Sequence, residues 1–282
     1  MKVLLPGANG MVARSVAAFC SSIGDEVLAL SREEMDIADR DAVTSTVRAF
    51  RPDAIINCAA YTNVDKAETE KEQAFRANVT GPENLAHAAR SIGCGLVTVS
   101  TDYVFDGAWN GFYDQRHTPR PLGVYGETKR LGEIAASSAY ARTIVVRTGW
   151  IFGKGGSNFL SQIPRLLAEG RNITAISDAF GTPTFASDLA QRLRELAELD
   201  LPAIFHVTNA GAGASYLEFA IRVRELGGFD RRLIEGVSMS DLPRPAPRPV
   251  NSKLACLFSE RFGLAPLPDW REAFERFVTD SL

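Results

Sequence analysis

Two hydroxyls and an ammonium gather within one stretch of this chain, residues 96–133. The stretch opens L-V-T-V-S-T-D-Y-V-F-D-G and, after an irregular segment, continues G-V-Y-G-E-T-K-R-L-G-E. A buried strand over 96–99 would deliver Ser100, Thr101, Asp102 and Tyr103 at its C-terminal end. The second part reads as a helix start carrying Tyr125 and Lys129, and residues four apart share one helical face. A cation beside a phenol favours the phenolate and lowers a tyrosine from its usual value of about 10. Tyr125 is therefore expected to give a proton to an oxygen that gains negative charge, with Thr101 as a second donor to that oxygen. A hydroxyl, a tyrosine and a lysine converging at a strand end point to carbonyl reduction. Tyr-x-x-x-Lys alone is an ordinary surface pairing, so the reading depends on the elements around it.

The first of those elements begins the chain. Residues 2–5 are a short apolar run, followed by P-G-A-N-G-M-V-A and an amphipathic stretch through Phe19. This is strand, glycine turn, helix. Gly7 permits the tight turn and Gly10 lets the backbone approach a pyrophosphate at the helix N-terminus, where free N–H groups and the dipole favour anions. Ala13, at the third position of the pattern, is small enough for close helix–strand packing. The next strand, 26–30, ends in Leu30-Ser31-Arg32. A site that prefers NAD usually has an acidic residue here for the ribose hydroxyls. Arg32 could instead pair with a 2′-phosphate and Ser31 donate to it, which favours NADPH and leaves NADH possible.

Further along, a helix is expected over 41–50, broken at Arg51-Pro52, and a strand over 54–57 running into C-A-A-Y-T-N-V-D-K-A-E. Ala59 and Ala60 are small enough for a flat cofactor to pass closely. Residues 72–92 are helical in period, with Asn78 inside. Strands follow at 143–147, 173–176 and 204–208, and helices at 159–169, 187–199 and 215–226. The proline- and arginine-dense segment 242–249 reads as an irregular surface loop. Helices are expected around 253–262 and 269–278. Alternating strands and helices give an α/β, doubly wound parallel sheet of Rossmann type, with ligands at the strand C-terminal ends. The strands and helices of that sheet are nearly complete by Arg147, which leaves a smaller C-terminal lobe for substrate. The expected division is 1–154 with 177–210 for the dinucleotide domain, and 155–176 with 211–282 for the lobe.

Composition narrows the function. At 282 residues and 45% hydrophobic content the chain can bury a large core, and a net charge of −3 shows no basic excess for nucleic acid. No run of roughly 18 apolar residues suggests a membrane span. Met1 leads straight into a strand, so no signal peptide is expected and the cytoplasm is the expected compartment. Cys20, Cys58, Cys94 and Cys256 are scattered without C-x-x-C spacing and read as reduced packing residues. His87, His117 and His206 are equally dispersed, which argues against a metal cluster or a Ser-His-Asp triad.

With these pieces in place the chain resembles an extended short-chain dehydrogenase/reductase, specifically the dTDP-4-dehydrorhamnose reductase family. The resemblance rests on G-A-N-G-M-V-A, D-I-A-D, N-C-A-A-Y-T-N-V-D-K-A-E, S-T-D-Y-V-F-D-G, V-Y-G-E-T-K, R-T-G-W-I-F-G, G-T-P-T and R-P-V-N-S. It implies catalysis by Thr101, Tyr125 and Lys129. Candidate cofactor contacts are Gly7, Asn9, Gly10, Met11, Ser31, Arg32, Asp36, Ile37, Cys58, Ala59, Ala60, Tyr61, Asn78 and Ser100, with Tyr125 and Lys129. Candidate substrate contacts are Thr101, Asp102, Tyr103, Trp150, Asn158 and Arg248, the last meeting the diphosphate of a nucleotide sugar. Asn251 would cap a following helix. Ala179 and Tyr216 stand where the family often has glutamine and tryptophan, which leaves the sugar open. Arg14 and Ser15 stand where some relatives place acidic residues for a dimer metal, so no metal is expected; a homodimer is possible.

The implied activity is hydride transfer from NADPH to C4 of a nucleotide-linked 4-keto-6-deoxyhexose. A nucleotide-sugar dehydratase would carry glutamate where Tyr103 stands. An epimerase must retain its NAD through a cycle, which Arg32 disfavours. A non-catalytic regulatory subunit, like the methionine adenosyltransferase beta subunit, could keep Tyr125 and Lys129; NADPH consumption separates it from an enzyme.

Overall fold

Strand β4, Gly95–Thr101, lies inside a six-stranded parallel sheet, and almost every residue in it is buried. The computed structural model describes residues 1–279. The other strands of this sheet are β1 (Lys2–Pro6), β2 (Glu26–Leu30), β3 (Ala54–Asn57), β5 (Thr143–Thr148) and β6 (Ile204–His206). Their spatial order is β6-β5-β4-β3-β1-β2. The order reverses between β1 and β3, and the crevice at such a reversal is where open α/β sheets bind ligands.

Side chains alternate across the sheet, as a period of two requires. Val3, Leu5, Ile56 and Val97 face helices α1 (Met11–Ser22) and α6 (Ala186–Leu199). Leu4, Ile55 and Leu96 face α2 (Arg40–Phe50), α3 (Gly81–Ile92) and α4 (Val124–Ala139). Because both faces are covered, the strands read as unbroken apolar runs. Local signals set the helix ends. Asp39 accepts from the Asp41 and Ala42 amides at 3.0 Å to start α2. Gly93, at φ 74°, closes α3.

A second core lies beside the sheet. Phe152, Ile163, Phe185, Phe219, Trp270 and Phe274 pack there, brought by α5 (Phe159–Ala168), α7 (Tyr216–Gly227), α8 (Trp270–Thr279) and short strands. The expected strand Ile173–Ile176 pairs in parallel with Ile234–Val237, outside the central sheet. Ser215 and Glu218 form a capping box at the start of α7.

Three expectations change. The 72–92 helix is interrupted: Lys71–Phe75 is α-helical, Arg76–Thr80 widens to a π-helix holding Asn78, and α3 follows. The helix expected around 253–262 reduces to a 3₁₀ turn at Glu260–Phe262. Leu254 bridges Tyr113 as extended chain, and Leu264 is buried in the first core with Cys256, Phe258 and Leu267 packed against it. The segment 256–267 thus packs on the Rossmann side, between parts of the chain that build the second core. Finally, 242–249 is irregular but not all surface, since Ala246 is buried and Arg248 half-buried.

The centre of the sheet is tied by charge. Glu133 on α4 accepts from Arg147 of β5 at 2.9 and 2.7 Å and from Ser100 of β4 at 2.5 Å. Both charged side chains are 5% exposed. Removing one member of a buried pair strands the other charge. Arg147→Met should cost about 3–5 kcal/mol of unfolding free energy by urea titration. The double variant Glu133→Gln/Arg147→Met should recover part of that loss, and a single variant as stable as wild type would show the pair carries no such role.

Candidate active site

Three elements meet at the C-terminal end of β4. The strand ends in Thr101, and a 3₁₀ turn, Asp102–Val104, follows at once. Helix α4 brings Tyr125 and Lys129 to the same place. It can come this close because Gly126 and Gly132 lack side chains: a Cβ at Gly126 would fall 2.2 Å from the Tyr103 carbonyl, and one at Gly132 1.9 Å from that of Asn78. The Tyr103 and Tyr125 rings meet edge to face at 5.8 Å. A narrow cleft between Tyr103, Tyr125, Val64 and Pro247 opens beside them. A larger hollow lies elsewhere, beneath His206, Cys256 and Leu264, and Thr101, Tyr125 and Lys129 do not line it.

The electrostatics differ from the sequence expectation. Burial pushes the Tyr125 phenol well above its ordinary value, with the Thr101 side chain acting in the opposite sense. Lys129 does not hold the phenol down. Its Nζ donates to the Val99 carbonyl at 2.7 Å, and burial lowers it to about 8 against the pull of Glu133. Asp102 is 3% exposed and burial raises its carboxyl to about 6. Thr101 Oγ1 donates to Asp102 Oδ1 at 3.0 Å and accepts from the Tyr103 amide at 3.2 Å.

The glycine turn sits across the β1–β3 reversal from this group. Gly7 has φ 89°, and its amide donates to the Leu30 carbonyl at 2.9 Å. A Cβ there would lie 2.7 Å from the Ala59 amide nitrogen, so Gly7, Cys58 and Ala59 are in backbone contact. Gly10 is the N-cap of α1, with no side-chain cap and no acidic residue in the first turn. The free amides there have the chemistry of an anion cradle, which fits a dinucleotide pyrophosphate. Asn9 and Met11 flank it: the Asn9 carbonyl accepts from Arg14, and Met11 Sδ accepts from Ser161 at 3.6 Å. At the end of β2, the Ser31 amide donates to Glu34, and the exposed Arg32 lies 3.8 Å from Asp36. Arg76, which sequence reasoning missed, lies 3.9 Å from the same carboxylate. Its signal is hidden because the π-helix that places it has no sequence signature of its own.

Other candidates have partners within the fold. Asn78 accepts from the Tyr61 amide at 2.8 Å and donates to the Tyr61 carbonyl and Thr128 at 3.1 Å, clasping the loop with Ala60 and Tyr61 to α4. The Tyr61 hydroxyl donates to Glu70 at 2.7 Å. Ile37 is buried in the core against Gly81, and Ser100 is spent on Glu133. Asn158 is the N-cap of α5, accepting from Ser161 at 3.0 Å and donating to the Ile151 carbonyl at 2.8 Å. Asn251 caps no helix; its amide donates to the Trp109 and Gly111 carbonyls because extended chain follows it. Trp150 has φ 50°, a strained conformation for a non-glycine residue. It is held by stacking on Tyr216 at 3.9 Å and by donation to Ser252 at 3.2 Å. Arg248 forks onto Asp65 at 2.8 and 2.9 Å, whereas Arg244 is exposed.

Comparison with known proteins agrees with this geometry. The model of the RmlD substrate binding domain matches residues 1–282. A dTDP-4-dehydrorhamnose reductase of Mycolicibacterium smegmatis is 40% identical over 280 residues, 98% of this chain and 85% of that protein. The chain belongs to the dTDP-4-dehydrorhamnose reductase family. It is an oxidoreductase of the extended short-chain dehydrogenase/reductase fold. The Bacillus anthracis dTDP-4-dehydrorhamnose reductase, solved in complex with NADP, superposes with TM-score 0.95 at 33% identity, over 99% of this chain and 100% of that one. The Clostridium acetobutylicum protein of the same family gives 0.94 at 32% identity, over 100% and 99%. A Thermus thermophilus UDP-glucose 4-epimerase, 22% identical over 99% and 98% of the two chains at TM-score 0.82, shares the fold.

The buried lysine makes a testable signature. Its folded value, about 8, lies below its ordinary 10.5, so between these values the unfolded chain binds more protons and stability rises with pH. Each tenfold loss of proton affinity is worth about 1.4 kcal/mol. Relative to Lys129→Met, the wild type should therefore gain roughly 3 kcal/mol between about pH 7 and pH 10.5. Paired denaturation curves across that range check it; parallel curves would place the ammonium in a solvated setting.

Proposed function

We propose that this protein is an NADPH-dependent reductase of a nucleotide-linked 4-keto-6-deoxy sugar, of the dTDP-4-dehydrorhamnose reductase kind. The observation that carries the reading is the meeting of Thr101, Tyr125 and Lys129 at the end of β4, in the sheet whose order reverses between β1 and β3. The relative of known structure in complex with NADP supports the cofactor.

When bound, the nicotinamide supplies the hydride to C4 of the keto sugar. Tyr125 supplies the proton to the oxygen. Burial keeps the phenol protonated until the ketone is in place. An alkoxide is far more basic than a phenolate, so transfer runs downhill even from a phenol held above its ordinary value. Lys129 spends one N–H on Val99 and keeps two donors for the cofactor ribose. The amides at the start of α1 hold the pyrophosphate. Arg32, with Arg76 beside Asp36, meets the 2′-phosphate. Tyr103, Trp150 and Tyr216 wall the sugar, and Arg248 serves the diphosphate at the mouth.

NADPH oxidation against a panel of dTDP- and other nucleotide-linked 4-keto sugars, with product stereochemistry read by NMR, tests this. Tyr125→Phe should lower kcat by about 10²–10⁴-fold, the usual worth of a general acid. No turnover with any keto sugar, despite NADPH binding, would replace the enzyme by a cofactor-binding regulator.

Arg32→Ala should raise the KM for NADPH by about tenfold, at the low end for a charge-assisted contact, and leave that for NADH nearly unchanged. A wild type that prefers NADH would overturn the assignment of Arg32.

A further inference from the structure

The reaction asks Thr101 for a hydrogen that the structure has already committed. A hydroxyl carries one hydrogen, and Thr101 Oγ1 donates it to Asp102 Oδ1 at 3.0 Å. One lone pair accepts from the Tyr103 amide at 3.2 Å. The remaining lone pair only accepts, and the phenol beside it is that of Tyr125. In this arrangement Thr101 gives nothing to a substrate oxygen. An ionised carboxylate cannot reverse the bond, because it has no hydrogen to return.

The setting of Asp102 is that of a carboxyl built to carry a proton. It is 3% exposed, and its Oδ2 has no hydrogen-bond partner. A Cβ on Gly149 would fall 2.3 Å from its Cγ, so the strand end after β5 presses on the carboxyl and fixes its plane. The groups that face it are phenols: Tyr103 from its own turn, Tyr125 from α4 and Tyr216 from α7. Ser252 adds a hydroxyl from the C-terminal segment, itself bonded by Trp150. The cations Arg244 and Arg248 act on Tyr103 and Tyr216, and Arg248 is already neutralised by Asp65. Burial raises the carboxyl to about 6, against the opposing pull of the Ser252 and Thr101 hydroxyls and the local backbone amides, with no cation paired to it.

We propose that Asp102 is a positioning residue whose proton sets the direction of the Thr101 hydrogen bond. Protonated, Asp102 donates to Thr101 Oγ1, and Thr101 turns its own hydrogen toward the reacting oxygen beside Tyr125. Ionised, it holds Thr101 in the reversed direction. The proton stays on Asp102 throughout, so the turn breaks no covalent bond and needs no co-reactant. A neutral carboxylic acid kept in a dry site so that it can donate is a known device for stabilising an oxyanion. The proposal rests on the reading that Thr101 and Tyr125 serve the substrate oxygen.

The test is the pH dependence of kcat/KM, which reports groups on the free enzyme. Wild-type kcat/KM should fall as pH rises through about 6, with the slope read below the value near 8 of Lys129. Asp102→Asn keeps the shape beside Gly149 and offers an N–H to Thr101 at every pH. The ratio of its kcat/KM to that of wild type should rise about tenfold per pH unit over this window, as loss of one proton dictates. Asp102→Ala, which removes the competing acceptor, should lose the same limb and serves if the amide variant folds poorly. In a Thr101→Val background, Asp102→Asn should leave the slope unchanged. A limb that persists in both Asp102 variants, or that is absent from the wild type, overturns the proposal. If Thr101→Val turns over like wild type, the parent reading of Thr101 has failed instead. Loss of turnover in Thr101→Val with the limb intact in Asp102→Asn sinks the positioning role alone.

Discussion

A carboxylate buried at the centre of the sheet must find partners, and those that Glu133 finds fix the geometry of everything above it. Its bonds to Arg147 and Ser100 tie α4 to β5 and β4. One turn earlier on the same helix is Lys129, and a turn before that Tyr125. A slip of α4 along the sheet would strand a charge, at a cost of several kcal/mol. Gly126 and Gly132 supply the complementary condition, a helix surface flat enough to lie against the Tyr103 and Asn78 backbone. Charge pairing sets the register and missing side chains set the distance.

That closeness makes the electrostatics. Tyr125, Lys129 and Asp102 are each displaced toward the neutral form, with burial as the leading cause in every case. In a dry setting oriented donors act with more force than in water, and they are already aligned before the reaction begins. The same burial costs stability in the unliganded protein, a trade commonly made where function demands unusual surroundings.

The substrate side of the site is assembled from parts far apart in the chain. Trp150, after β5, takes a strained backbone so that its ring can lie on Tyr216 of α7 and its N–H can reach Ser252. Asp65, after β3, grips Arg248 and the Ala246 amide and so draws the proline-rich segment over the cleft. The second core of phenylalanines and Trp270 gives these loops a rigid base.

The sequence by itself determined the parallel sheet, its glycine turn and the group Thr101, Tyr125 and Lys129. Each is written in local pattern: unbroken apolar runs, Gly7 and Gly10 between strand and helix, and a four-residue spacing. Tertiary structure decided what these groups do to one another. Spacing put Lys129 beside Tyr125, but only the fold showed its ammonium turned to Val99, and only the fold showed Thr101 bonded to Asp102. Asn78 and Asn251 bond to distant segments, contacts that local pattern does not show. The extended course of 253–258 was hidden for the same reason. Its backbone is held by Tyr113 and by the core under β6, and a pairing across more than a hundred residues leaves no mark in local periodicity.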